Sequence, residues 1–348
     1  MKVDYIVVGI GLAGINFCEQ LEKHSKSFIV FDDSSQKSSK VAGGLYNPVV
    51  LKRFTPVWKS DEQLALAMQV YGGLEKKLEL KLDYKFPVYR KLASIEEQNN
   101  WIAVSNKEGL AKYLHDHIIK NDNASIKANF DFGKVNHTGR IDVKVLIKAY
   151  KKRLKEECRI KDEKFIYNDL KVVQNKVAYN DVEANQIVFA EGYGLTNNPF
   201  FKELPLVPAK GELLTIHAPE LNIDFVLKGP VFLIPVGEDR YIVGATYEWK
   251  DISNKTTQKA KKQLLEKIKT LINSPFEVVN QVAGIRPTVR DRRPLVGRHK
   301  EFKNVYVLNG LGTRGVMIGP YAAKQLYNHI ENNAPLNEEI NVERYYTD

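Results

Sequence analysis

A chain of 348 residues, 43% hydrophobic and 27% charged, is long and apolar enough for about two globular domains, which excludes disorder as its main state. No window approaches the roughly 18 uninterrupted apolar residues of a membrane-spanning helix. Lys and Arg number 52 against 42 Asp and Glu, and the net charge of +10 favours anionic partners: a carboxylate substrate, a phosphate-bearing cofactor or nucleic acid. Lysine pairs such as Lys76-Lys77 and Lys151-Lys152 nevertheless lie among acidic residues, as a solvated face does.

Taken in chain order, residues 3–8 (VDYIVV) predict a short buried strand, and the apolar spacing then becomes helical from Ala13 to Lys23. Asp4 interrupts the apolar opening and no small-residue cleavage site follows, so this start reads as folded structure and not as a secretory signal. Phe28–Phe31 is a second strand, and strand, glycine turn, helix, strand is a βαβ opening that implies a parallel sheet. Residues 33–44 read as a loop and 60–80 as a helix. YKFPVYRKLAS and ASIKANFDFG alternate as exposed-sheet strands do. His115 and His117 are read on a helix, where residues two apart do not face each other, and no third ligand accompanies them. Gly139–Leu154 is expected to be helical with Asp142 as N-cap. KFIY, LKVVQN and KVAYN then predict strands, followed by the buried run Gln186–Ala190. Glu212–His217, Pro230–Pro235 and Tyr241–Ala245 again read as sheet. A basic amphipathic helix spans Thr257–Ile272, and Val305–Leu308 leads through a glycine-rich turn to a helix over Tyr321–Glu331. Two cysteines, Cys18 and Cys158, form neither a disulfide framework nor a metal cluster, so a cytoplasmic location and no metal are expected.

Gly9-Ile10-Gly11-Leu12-Ala13-Gly14 fits G-x-G-x-x-G between that first strand and helix. The first glycine permits the tight turn, the second admits a pyrophosphate to the backbone, and the third lets the helix pack close to the sheet. The amides of Leu12 and Ala13 open the helix, where its dipole favours phosphate. Residues 15–31 separate Gly14 from Asp32, which with Asp33 ends the second strand and is placed to accept from an adenosine ribose hydroxyl. These features predict a dinucleotide but do not choose between NAD and FAD.

Further motifs make that choice. Lys40–Pro48 (KVAGGLYNP), Gln186–Gly194 (QIVFAEGYG), Pro208–Leu213 (PAKGEL), the pair VFLIPVG and YIVGAT, Ala283–Gly297 (AGIRPTVRDRRPLVG) and Asn309–Pro320 (NGLGTRGVMIGP) occur in the order seen in D-amino-acid oxidase relatives. The chain thus resembles the FAD-dependent family of D-amino-acid, glycine and sarcosine oxidases. The resemblance implies an α/β fold in which an FAD-binding Rossmann-like parallel-sheet domain (1–83 with 137–206 and 284–348) is interleaved with a sheet-rich α+β substrate domain (84–136 with 207–283). It also implies non-covalent FAD, because neither cysteine lies near AGIRP, where sarcosine oxidases attach the flavin. Gly44 and Leu45 are then expected along the flavin ring, Gly192 near the cofactor, and Leu170 against adenine. Gly310, Gly312, Thr313, Arg314, Gly315, Val316 and Met317 are expected toward the pyrimidine end, where a helix start suits the charge of a reduced ring.

Arg286, in Gly-x-Arg-Pro, is the residue that the resemblance assigns to a substrate carboxylate, and guanidinium geometry suits that pairing. A surface salt bridge to Asp291 or Glu248 is the competing reading. Phe232 stands where several relatives carry a Tyr that also touches the carboxylate; Tyr46, Tyr241 and Tyr247 are candidates to replace it. The implied chemistry is oxidation of a C–N bond by hydride transfer to flavin N5, then imine hydrolysis, with oxygen or another electron acceptor and with no protein general base. The partner is accordingly a small carboxylate-bearing amine. The C-terminal blocks are also similar to the oxidase domain of the bacterial protein that matures carboxymethylaminomethyl-uridine, which makes tRNA a second candidate partner. A nicotinamide dehydrogenase and a non-catalytic flavin-fold binding protein are the remaining alternatives.

Overall fold

The computed structural model describes residues 1–173 and 176–346. Its first large sheet is built on parallel strands: Ile160–Lys161, Phe28–Phe31, Lys2–Val8, Val182–Phe189 and Val305–Asn309 lie in that spatial order. A hairpin from Lys171–Val173 and Lys176–Tyr179 and the strand Leu295–Arg298 extend it with antiparallel pairing. Alternation along the first strand decides what covers each face. Tyr5 and Val7 point into a core shared with helices α1 (Leu12–Lys23), α3 (Ser60–Leu78), α5 (Val143–Glu156) and α7 (Gly315–Asn332), where α2 is the single turn Ser38–Val41 and α4 is Ile95–Ser105. Ile6 and Val8 point the other way, into an aromatic core with Phe165, Tyr179, Phe189 and Phe201.

The second large sheet takes its strands in the order Glu277–Arg286, Ala209–His217, Arg240–Gly244, Phe232–Gly237, Val226–Lys228, Val88–Lys91, Phe132–Val135 and Leu114–Ile119. Leu214, Leu233 and Val243 pack beneath helix α6 (Gln258–Lys269), while Val88, Val226 and Ile234 face the core around Trp101 of α4. A three-stranded patch of Leu45–Tyr46, Gly139–Ile141 and Asp83–Lys85 lies outside both sheets in hydrogen bonding. The strand Glu277–Arg286 runs across position 284, the expected domain boundary.

Several expectations are corrected. The 33–44 segment holds the helical turn α2, and Gly139–Ile141 is a strand, with the helix starting only after Asp142, whose carboxylate accepts from Val145 N at 3.1 Å. KFIY is not a strand: Phe165 and Tyr167 plug the aromatic core, and a 3-10 turn follows at Tyr167–Asp169. Of ASIKANFDFG only Phe132 and Gly133 join a named strand. In LKVVQN, Gln174 and Asn175 lie outside the described residues. His115 and His117 lie on a strand, so their rings do share a face, 5.6 Å apart; among the described residues no three His, Cys, Asp or Glu side chains gather for a metal. Among the described residues no helix is long and apolar enough to cross a membrane.

Candidate active site

The glycine loop is tight because two backbones meet there. A Cβ at Gly14 would lie 2.0 Å from Gly9 O, and one at Gly9 would lie 2.6 Å from Ala190 O. Helix α1 therefore starts hard against the sheet, and no side chain caps it. Ser39 Oγ accepts from Leu12 N at 3.3 Å. Helix α7 starts at Gly315, again without a side-chain cap, and a Cβ there would come 3.1 Å from Leu12 Cδ1. Two uncapped helix starts thus sit side by side on one cleft of about 540 Å³, whose far wall is the second sheet. The amides that Ser39 leaves free and the positive ends of two helix dipoles fit an anionic dinucleotide.

Gly9, Gly11, Leu12, Ala13, Asp32, Gly44, Leu45, Gly192, Arg286, Gly312, Thr313, Arg314, Gly315 and Val316 all line this cleft. Gly14, Asp33, Leu170, Gly310 and Met317 do not. Gly14 and Gly310 are packing positions behind the wall, Met317 is core, Leu170 packs on the aromatic core, and Asp33 accepts from Ser35 N. Asp32 holds the loop itself, accepting from Ile10 N at 3.3 Å, while its other oxygen pairs with Lys151 at 2.7 Å. Asn309 ties two glycine turns together: its amide donates to Gly192 O at 3.0 Å and its oxygen accepts from Gly310 N at 2.7 Å.

The opposite wall carries Arg286. Asp291 is taken by Arg344 and Glu248 by Lys259, so neither makes the salt bridge considered from sequence. Arg286 donates only to Thr246 O, at 3.3 and 3.4 Å, and has no carboxylate partner among the described residues. Burial holds its pKa below the usual arginine value. The guanidinium lies against Gly211, where a Cβ would sit 2.0 Å from Nη2; this is the physical need for the glycine in PAKGEL. Tyr247 covers the guanidinium, 4.5 Å from its ring centroid. Of the three tyrosines weighed as replacements at Phe232, only Tyr247 lines the cleft; Tyr46 donates to Asp83, and the Tyr241 hydroxyl is packed against Ile223 N.

Sequence reasoning passed over two cleft residues. Glu191 is buried, accepts from Tyr167 and Asn198 at 2.6 and 2.7 Å, and burial pushes its carboxyl up to about 7. It stood in plain sight as the middle residue of Ala190-Glu191-Gly192. Lys228 has its pKa pushed down to about 8 by burial and by the like charges of Arg90 and Lys267. Neither cysteine lines the cleft: Cys18 is buried in the helical core and Cys158 is exposed.

A βαβ glycine loop, two helix starts without side-chain N-caps and a facing sheet whose arginine has no acid partner among the described residues are the arrangement of a dinucleotide-dependent oxidoreductase. The chain belongs to the DAO family of FAD-dependent oxidoreductases, whose model matches residues 4–328. FAD is therefore the cofactor, and the nicotinamide alternative falls away. Glycine oxidase of Bacillus subtilis is 28% identical over 173 residues, 48% of this chain and 45% of that protein. The tRNA 5-methylaminomethyl-2-thiouridine biosynthesis bifunctional protein of Campylobacter jejuni subsp. doylei is 24% identical over 305 residues, 76% of this chain and 49% of that protein. The matches thus span about half the length of these curated relatives. In fold, the chain is similar to glycine oxidase from Geobacillus kaustophilus (TM-score 0.80, 17% identity, 96% of both chains) and to iminodiacetate oxidase from Chelativorans sp. (TM-score 0.78, 18% identity, 98% of both chains).

Proposed function

We propose that the protein oxidises the C–N bond of a small amine that carries a carboxylate, either an amino acid or an N-substituted glycine. The observation that carries this reading is Arg286: a half-buried guanidinium, facing the cofactor cleft, with donors to spare and, among the described residues, no acid to pair with. An unpaired cation in such a place binds an anion at little further desolvation cost, and a bidentate carboxylate fixes the bond beside it. FAD, when bound, supplies the two-electron acceptor. Phe232, Ile234 and Leu213 give the wall an apolar surface that excludes water, and Tyr247 closes over the guanidinium. A neutral amine needs no further deprotonation, so no general base is assigned. The substrate leaves as an imine that water hydrolyses. With oxygen as the final acceptor, amine, O2 and water give a 2-oxo acid, the freed amine and hydrogen peroxide.

The test is a matched pair on the FAD-loaded protein. Sarcosine and dimethylamine differ only in the carboxylate; glycine and D-amino acids complete the screen. Anaerobic bleaching of the yellow colour by a carboxylate amine, with peroxide on admitting air, is the expected result. Equal bleaching by dimethylamine contradicts the carboxylate requirement. Bleaching without peroxide moves the acceptor from oxygen to another oxidant.

A tRNA-borne substrate is the second reading. It is favoured by the long match to the tRNA biosynthesis protein and by Lys144, Lys148 and Lys152, which repeat every four residues along the exposed face of α5. If it holds, tRNA binding falls linearly in log–log terms as salt rises, because phosphate contacts release counterions. A salt-insensitive interaction, or none, removes it.

A further inference from the structure

Lys228 ends the strand Val226–Lys228, and alternation puts it on the same face as Val226, toward the cleft and away from Leu227, which packs toward α6. Its ammonium lies 4.5 Å from the centroid of the Phe232 ring, and its hydrogen bond goes to Gly229 O. Among the described residues it has no carboxylate partner. Its register partner on the neighbouring strand is Arg90, another cation, which is itself paired with Glu97 of α4 at 2.8 Å. A lysine withdrawn from water and left without a counter-charge has a depressed pKa, as this one does. Such a group costs stability unless an anion comes to it.

The position of that ammonium relative to Arg286 gives it meaning. Arg286 reaches across Gly211 to Thr246, two residues beyond Gly244; Gly244 is the register partner of Phe232, and Phe232 is the register partner of Lys228. Two strand steps and two residues separate the backbone of Lys228 from that of Thr246, roughly 12 Å at 4.8 Å between strands and 3.3 Å per residue, and the Lys228 and Arg286 side chains span part of it. Lys40, Lys52 and Arg314 are the other cations on the cleft: Arg314 holds the N-cap position of α7 and Lys40 lies on α2, both on the cofactor side, and Lys52 is exposed.

We propose that Lys228 is a second anion receptor and selects amines bearing two acidic groups, one held by Arg286 and the other by Lys228, with Phe232 as the apolar floor between them. This rests on the reading of Arg286 given above. The occupant is an N-carboxymethyl amine or an amino acid with an acidic side chain, its carboxylates one short extended chain apart.

Two unreactive ether acids separate the claims: methoxyacetate carries one carboxylate, and diglycolate carries the same carboxylate plus a second. Their Kd values on the FAD-loaded protein are read at pH 7 by calorimetry and by the change in the visible absorption of the bound cofactor. Diglycolate is expected to bind at least tenfold more tightly than methoxyacetate. Lys228→Met removes that preference and leaves methoxyacetate binding within about twofold, while Lys228→Arg keeps it. Equal binding of the two acids to the wild type, or an undiminished preference in Lys228→Met, overturns the role of Lys228 and leaves Arg286 standing. Failure of both acids to bind overturns the carboxylate site itself, and this inference with it.

Discussion

At the scale of single residues, the cleft shows how burial assigns charge states. The Glu191 carboxyl keeps its proton to about pH 7 when folded, against an ordinary value of 4.5, because burial outweighs the bonds from Tyr167 and Asn198. Between those two values the native state holds the extra proton, so stability falls as pH rises across the window and stays reduced above it. Glu191→Gln is therefore expected to raise stability at pH 8, by at most about 3 kcal/mol, and to change it little at pH 4.5, as measured by urea unfolding at both pH values. A gain confined to low pH contradicts this. Gly211→Ala tests the seat of the guanidinium: a methyl group 2.0 Å from Nη2 must displace Arg286. Expected is a rise of at least tenfold in KM for the carboxylate substrate with flavin content unchanged; an unchanged KM shows that Arg286 has another resting place. The place of Arg286 on the cleft was legible because its motif is local in sequence. Lys228 was not, because only the pairing of its strand with Phe232 and with Val88–Lys91, more than a hundred residues away, gives it neighbours.

At the scale of elements, the opening βαβ unit was readable because strand, glycine turn and helix follow one another without a long-range partner. Helix α4 went unread although it carries its own signal, a capping box: Ser94 Oγ accepts from Glu97 N at 3.1 Å, and Glu97 reaches back to Ala93 N. Ser94→Ala is expected to lower stability by about 1 kcal/mol, seen as a shifted urea midpoint with unchanged slope and unchanged flavin content. The strand holding His115 and His117 had no comparable mark, since its pairing with Phe132–Val135 is a tertiary choice. On the nucleotide side, Gly14→Ala sets a methyl group 2.0 Å from Gly9 O, so α1 must retreat from the sheet. The expected outcome is a protein purified with little FAD; full retention of the cofactor would show that the loop tolerates a wider turn.

For the whole molecule, the two sheets meet along the cleft: the helix starts open on it from one side, and Arg286 and Lys228 line it from the other. We propose that the discontinuous division expected from sequence, with 84–136 and 207–283 as the substrate part, is the working division of the fold. With no cysteine on the cleft, acid precipitation is expected to release all the yellow colour into the supernatant; colour left in the pellet contradicts non-covalent attachment. Added FAD is also expected to raise the thermal midpoint of stripped protein, by the equivalent of about 2.7 kcal/mol at a hundredfold excess over Kd.

The most direct measurement is kcat/KM for Arg286→Ala on the best carboxylate amine. Removing charge-assisted bonds worth roughly 1.5–3 kcal/mol each from a water-poor site is expected to cost about 2–4 kcal/mol, a fall of roughly 30- to 1000-fold. Arg286→Lys restores part of it, since the charge returns without the two-pronged geometry. An unchanged kcat/KM, or a loss of flavin as the only defect, would contradict the assignment of Arg286 to the substrate carboxylate.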